Sequence, residues 1–268
     1  MSQLPPFLLP RTSVNARADN LAKDGWGGTV AGFPAPSQSR EGNFLGNLAN
    51  EYAEIGMTDK ARSNMEAALA VAREVGNRRL EGNTLCNLGL LQQVQGNFGD
   101  ALDRLEAALA VARDTGNAHL ECVVLCNLGM VHDSLARFGE ARENFDAALG
   151  IAREAGYRRR EGQFLGYLGL LHAHQGKFIE ARRCLDAGET LLRAVSDRIS
   201  LGILCCGRAE TEHLAGVAHV AREMLDAADT IATEVRAGPK SELGLALARL
   251  RNLLGQGRRE GTDGSMAR

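Results

Sequence analysis

The residues most able to do chemistry are the cysteines and histidines, six of each. Cys122 and Cys126 lie four apart, one helical turn, and would offer two thiolates to one metal ion. Cys86, Cys126 and Cys206, in contrast, are separated by multiples of 40 residues, as are His132 and His172. Zinc needs its ligands about 2.0–2.3 Å from one centre. No second pair has ligand spacing, so the cysteines read as small packing residues and neither metal nor cofactor is expected. The glycines of "GWGGTVAG" (25–32) lack a following Lys-Ser/Thr and a preceding strand, so they form no phosphate loop. No Ser-His-Asp order surrounds a nucleophile elbow. The many carboxylates fall on solvated helix faces as partners of Arg and Lys. The expectation is a chain that is not an enzyme. What remains is hydrogen bonding. Asn47, Asn87 and Asn127 recur every 40 residues, and an Asn amide both donates and accepts. Such a row either holds the backbone of an extended peptide or braces each repeat against its neighbour.

The elements that position these residues follow from the same period. "EGNFLGNLANEYAEIG" from Glu41 is answered by "EGNTLCNLGLLQQVQG" from Glu81, "ECVVLCNLGMVHDSLA" from Glu121 and "EGQFLGYLGLLHAHQG" from Glu161. A second half, "EAALAVAREVGN" from Glu66, recurs from Glu106 and Asp146. A fainter copy runs from Leu201, with Leu204 and Ala221 in place. Each unit splits into two helices. In the first, Leu85, Leu88 and Leu91 form one apolar stripe. Gly56, Gly96 and Gly176 stop the first helix, and Gly76, Gly116 and Gly156 stop the second. Arg73, Arg113 and Arg153 sit in a last turn, where a cation suits the dipole. Asn77 and Asn117 are placed to cap the next helix. Gly89, Gly129 and Gly169 face Ala101, Ala141 and Ala181 and let two backbones approach, while Phe98, Phe138 and Phe178 wedge between units. One hairpin cannot bury its apolar face alone, so neighbours must stack.

The order of large and small residues resembles that of tetratricopeptide repeats. Leu45, Leu48, Ala49, Tyr52, Ala61, Met65 and Ala68 carry the likeness, repeated at Leu85, Leu88, Gly89, Gln92, Ala101, Leu105 and Ala108. The usual repeat is about 34 residues. The 40-residue form is similar to a longer subclass, which includes kinesin light chain and LGN-type adaptors and the repeat tails of bacterial signalling ATPases, kinases and cyclases. The resemblance implies an all-α, right-handed α-solenoid whose first helices line a concave groove. The lining positions would be Asn43, Asn47, Asn50, Asn83, Asn87, Gln93, Asn127, Asp133, Gln163, Tyr167 and His174. It also implies a protein or peptide partner, held by an intact adaptor or by the repeat tail of a bacterial regulator. A second reading is a sensor that binds a signalling peptide and changes superhelix curvature. Chaperone-binding members clamp a terminal carboxylate with Lys and Arg. Here Asn43, Asn47, Asn83, Asn87, Val123 and Asn127 stand at those positions, which argues against that ligand.

The totals agree with this reading. Hydrophobic residues make up 44% and aromatics 4%, and the formal net charge is -2. That balance gives no electrostatic case for nucleic acid or a membrane surface. No apolar run approaches the roughly 18 residues of a membrane span, and Leu4–Pro10 is too short for a signal core. Six cysteines in a helix-patterned chain of this length indicate a reducing, cytoplasmic home. The expected organisation is a flexible lead over 1–39, five repeats (41–80, 81–120, 121–160, 161–200, 201–240), a capping helix over 241–254 after the Gly238-Pro239 break, and a flexible tail over 255–268. Trp26 in the lead is either a free indole or a docking anchor.

Overall fold

The computed structural model of the chain describes residues 36–263. Among these it is all-α, with eleven helices and no strand. They are α1 (Pro36–Glu54), α2 (Thr58–Glu74), α3 (Arg78–Val94), α4 (Phe98–Asp114), α5 (Ala118–Ser134), α6 (Phe138–Glu154), α7 (Arg158–His174), α8 (Phe178–Ala194), α9 (Arg198–Leu214), α10 (Ala218–Glu234) and α11 (Glu242–Asp263). From α2 to α10 each helix begins 20 residues after the last, so two helices fill one sequence period. No described helix is long and apolar enough to cross a membrane.

The turns explain this regularity. Gly56, Gly76, Gly96, Gly116, Gly156, Gly176 and Gly216 all have positive φ, between 60° and 78°. That left-handed residue closes a helix by turning its N–H back: Asn77 N–H donates to Ala72 O at 2.8 Å and Gly76 N–H to Arg73 O at 3.3 Å. Side-chain caps then start the next helix. Asn77 accepts from Leu80 N–H at 3.0 Å and Asn117 from Leu120 N–H at 3.1 Å, as the sequence predicts. Asp197 does the same for Ser200 at 3.1 Å. The last-turn arginines do more than meet a dipole. Arg73, Arg113 and Arg153 donate to Glu81, Glu121 and Glu161 of the next helix at 3.0, 2.9 and 2.9 Å. Burial works against ionising Glu81, yet its bonds to Arg73 and Arg78 hold its carboxyl below the usual range.

The chain divides into two compact units, with the boundary inside α5 between Val124 and Leu125. In the first, α2 meets α1 and α3, and α3 meets α4. Its core holds Ala49, Ala61, Met65, Leu85, Leu88 and Leu105. A Cβ on Gly89 would lie 2.7 Å from the Leu105 side chain and 3.2 Å from the Ala101 carbonyl oxygen, so the absence of one sets the hairpin spacing. In the second unit, α7 meets α6, α8 and α9, and α9 meets α10 and α11. Phe145, Phe164, Leu171, Leu185, Leu192 and Leu243 are among its largest fully buried side chains. Gly129 fronts the Phe145 ring at 2.8 Å and Gly169 the Leu185 side chain at 2.9 Å. Fully burying each such side chain contributes about 1.5–3 kcal/mol. Phe98, Phe138 and Phe178 open α4, α6 and α8 and are half-buried.

Both ends differ from expectation. Helix α1 opens at Pro36, inside the span read as lead, because a proline suits the first turn, where its missing N–H would have no partner anyway. The rest of that lead, with Trp26, lies outside the described residues. Helix α11 runs to Asp263, past the expected limit at 254. The expected tail begins at Gly255, but a helical glycine costs only about 1 kcal/mol relative to Ala, and no proline follows.

Three positions equivalent to the turn glycines carry side chains: Ala136 (φ 55°), Ser196 (φ 55°) and Arg236 (φ 52°). A left-handed conformation costs an L-residue about 1–2 kcal/mol, partly offset by glycine's extra freedom when unfolded. Ala136→Gly, Ser196→Gly and Arg236→Gly should each raise stability by about 0.5–1 kcal/mol. Gly116→Ala should lower it by a similar amount. Urea melts of the four variants check the signs, and destabilisation by all three glycine substitutions would refute the account.

Candidate functional site

The amides predicted to line a groove do not share one environment. Asn43 and Asn47 on α1 are exposed. Asn50 and Asn83 are half-exposed, and so is Asn87, whose Nδ2 donates to Asn50 Oδ1 at 3.2 Å. That bond ties the second repeat to the first, which is the bracing role. Gln93 is only 1% exposed, and neither atom of its amide has a hydrogen-bond partner among the described residues. Asn127 on α5 is wholly buried, with 0% exposure. Tyr167 and Gly207, at the same repeat position, are also buried. Asn127 therefore presents no surface to a ligand in this conformation.

In the second unit the structure brings together residues that the sequence offered singly. His174 of α7 lies between two carboxylates, with Nδ1 2.8 Å from Asp133 Oδ2 of α5 and Nε2 3.5 Å from Glu210 Oε1 of α9. Arg249 of α11 completes the set, donating from Nη2 to Glu210 Oε1 at 3.0 Å. Burial alone would lower the imidazole pKa. The hydrogen bonds to Asp133 and Glu210 outweigh it and raise His174 to about 9, so the ring is a cation at neutral pH. Asp133 and His174 were expected as groove residues. Glu210 and Arg249 were missed, because neither belongs to the repeating pattern.

A cleft lies between α7 and α9, with α8 at its back and Glu242 of α11 at its edge. Counting its open mouth, it holds about 380 Å³. Gln163, Gly166, Tyr167 and Leu170 form one wall, and Ser200, Ile203, Leu204 and Gly207 the other. Gly166, like Gly46, stands where three repeats have Cys86, Cys126 and Cys206, and Gly207 where the others have Asn or Tyr. A Cβ on Gly207 would meet nothing within 4 Å, so small residues create the space. Two expected groove residues line it. Gln163 is held on both sides: Arg160 Nη1 donates to its Oε1 at 3.0 Å, and its Nε2 donates to Ser200 Oγ at 2.7 Å. The Tyr167 ring stacks on Phe145 of α6 with centroids 6.4 Å apart and planes 12° apart. Burial, reinforced by the charge of Glu242, raises the Tyr167 hydroxyl pKa well above its ordinary value, which keeps it a neutral donor.

The cysteines are all free thiols. Burial pushes the pKa of Cys184, Cys205 and Cys206 upward, so these three stay protonated, a poor state for a metal ligand or nucleophile. His172 is buried and its pKa lowered, first by desolvation and then by Arg142 and Lys177, which keeps the ring neutral.

Stacked helix hairpins of one period define a helical repeat protein. The tetratricopeptide repeat family model matches residues 41–114 and 83–154, so the chain carries tetratricopeptide repeats over that stretch. Several solved structures share its fold. BtubC (BKLC) from P. vanneervenii is 19% identical with a TM-score of 0.58, covering 75% of this chain and 91% of its own. A Rap protein complexed with competence and sporulation factor is 18% identical with a TM-score of 0.61, covering 83% of this chain and 67% of its own. A putative kinesin light chain repeat protein from Podosopora anserina is 16% identical with a TM-score of 0.57, covering 76% of this chain and all of its own. No curated protein matches the sequence.

Two predictions follow from the geometry. Removing the wholly buried Asn127 side chain in Asn127→Ala should cost about 1–3 kcal/mol, whereas Asn47→Ala on the exposed face of α1 should leave the melting temperature almost unchanged. Equal losses in both would overturn the assignment of Asn127 to the interior and Asn47 to the surface. The second concerns pH. The folded pKa of His174 lies above the ordinary value of 6.5. Its stabilisation is therefore complete below pH about 6.5 and is lost as pH rises through about 9, amounting to at most ~3 kcal/mol. Urea midpoints should fall over that window in the wild type and stay flat in His174→Asn. A slope shared by both proteins would refute it.

Proposed function

We propose that this chain is a non-catalytic binding module that holds a peptide, or an extended segment of a partner protein, along the inner faces of its first helices. The observation that carries the reading is the α7–α9 cleft. It is mostly apolar, has a hydrogen-bonded polar edge at Gln163 and Ser200, and opens to solvent, where a guest can reach it. The repeat class supports it, since such stacks build extended binding surfaces. In the first compact unit, the exposed amides Asn43 and Asn47 and the half-exposed Asn83 would by themselves offer hydrogen bonds to a peptide backbone.

One observation favours a second, regulatory reading, in which a signalling peptide shifts the spacing of the repeats. The Asp133–His174–Glu210–Arg249 set joins α5, α7, α9 and α11, so a guest that recruits any member acts on several repeats at once. The Rap protein of similar fold was solved with a competence and sporulation factor bound, which gives that reading a precedent.

A peptide enriched from a random display library on the wild-type chain provides the test. Calorimetry should give saturable binding to the wild type and at least a ten-fold loss, about 1.4 kcal/mol, for Gly166→Phe, which fills the cleft. Helix content should not change. Equal affinity for both proteins would remove the cleft from the binding surface. A fall in the radius of gyration on saturation would select the regulatory reading over simple holding.

A further inference from the structure

The face of α1 that carries Phe44 lacks the cover its counterparts receive. Phe44 is 65% exposed, whereas Thr84, Val124, Phe164 and Leu204, at the same repeat position, are at most 4% exposed. The second unit reveals what that position is for. A Cβ on Gly188 of α8 would lie 2.9 Å from Leu204 Cδ1, and one on Gly166 of α7 would lie 3.6 Å from it. The side chain thus inserts between the two helices of the preceding repeat. No described residue stands in that place before α1. Leu48, one turn on, is half-buried, while Leu88, Leu128 and Leu168 are buried.

We infer that residues 1–35 of this chain supply the missing cover, with the Trp26 indole seated on Phe44 and Leu48 of α1. Residues 1–40 cannot form a preceding repeat in register, because Pro5, Pro6 and Pro10 fall where Leu85, Cys86 and Leu90 are helical. A shorter apolar occupant fits the face better. Its apolar part is one phenylalanine and one half-buried leucine, ringed by the exposed Asn43, Asn47 and Glu51. One indole buries about 150–250 Å², while a stable dimer needs about 800 Å² from each partner. The reach is sufficient. Phe44 lies eight residues into α1, about 12 Å along its axis. Pro36 lies ten chain steps after Trp26, which span up to ~33 Å when extended. Tethering also keeps the occupant at high effective concentration, an advantage a second copy lacks.

Trp26 is the only tryptophan, so its fluorescence reads this contact directly. In the full-length chain its emission should be blue-shifted and its acrylamide quenching several-fold slower than in a synthetic peptide of residues 1–35. Phe44→Asp should bring both to the peptide values while circular dichroism stays helical. A photo-crosslinking residue at position 44 gives a readout that does not depend on that variant, and should link within the same chain to residues 1–35. Quenching as fast as in the peptide, or shielding unchanged in Phe44→Asp, overturns the proposal. So does shielding lost on dilution together with a link between two chains, which would make a second copy the occupant.

Discussion

The spacing between the two helices of each hairpin is the constraint on which everything else rests. It is set where a side chain is missing. At Gly89 the facing carbonyl of Ala101 and the Leu105 side chain occupy the volume a methyl group would need. Gly129 against Phe145 and Gly169 against Leu185 repeat the arrangement with different fillers. A large-to-small exchange across this seam conserves volume, so hairpins of different sequence can keep one spacing. With the spacing fixed, successive hairpins can insert a residue such as Leu204 between the helices before them. With the stacking fixed, α7 and α9 of the second unit bring Gln163, Tyr167 and Ser200 to one cleft.

Electrostatics then divides the arginines and glutamates by burial. Arg73, Arg113 and Arg153 each reach an acid on the next helix from a largely exposed position. Pairs of that kind contribute about 0–1 kcal/mol and mainly fix the angle of a turn. The His174 set is different, because Glu210 is almost wholly enclosed and a lone carboxylate there would be costly. His174 and Arg249 together neutralise Asp133 and Glu210. The cluster is therefore tolerated only as a unit, and removing one member leaves a buried charge behind.

The period made most of the scaffold legible. Helix limits, left-handed turn residues, the caps at Asn77 and Asn117 and the glycine seams can be read from one repeat and carried to the next, because each depends on contacts within a hairpin. The groove positions were less legible. Asn47, Asn87 and Asn127 look alike in sequence, yet one is exposed, one is bonded to Asn50 and one is buried. Their environment depends on the neighbouring repeats, and a single-repeat pattern carries no information about those. Gln163 and Tyr167 do line the cleft, but their partners Ser200, Glu242 and Gly207 come from a weaker repeat and a terminal helix where the pattern has faded. The helix limits at Pro36 and Asp263 lay outside the period altogether.

These failures share a cause. A residue that recurs in every repeat must suit every repeat, so recurrence selects for scaffold work, as Asn87 illustrates by bracing Asn50. A local site needs residues that break the pattern. Gly207 opens the cleft because it is smaller than the Asn or Tyr of the other repeats, and Gly166, like Gly46, is smaller than Cys86, Cys126 and Cys206. Asp133 and His174 meet because only there does an acid at the thirteenth position precede a histidine at the fourteenth of the next repeat. In a periodic protein the departures from the period are therefore the better guide to binding, and in this chain they concentrate on α7 and α9.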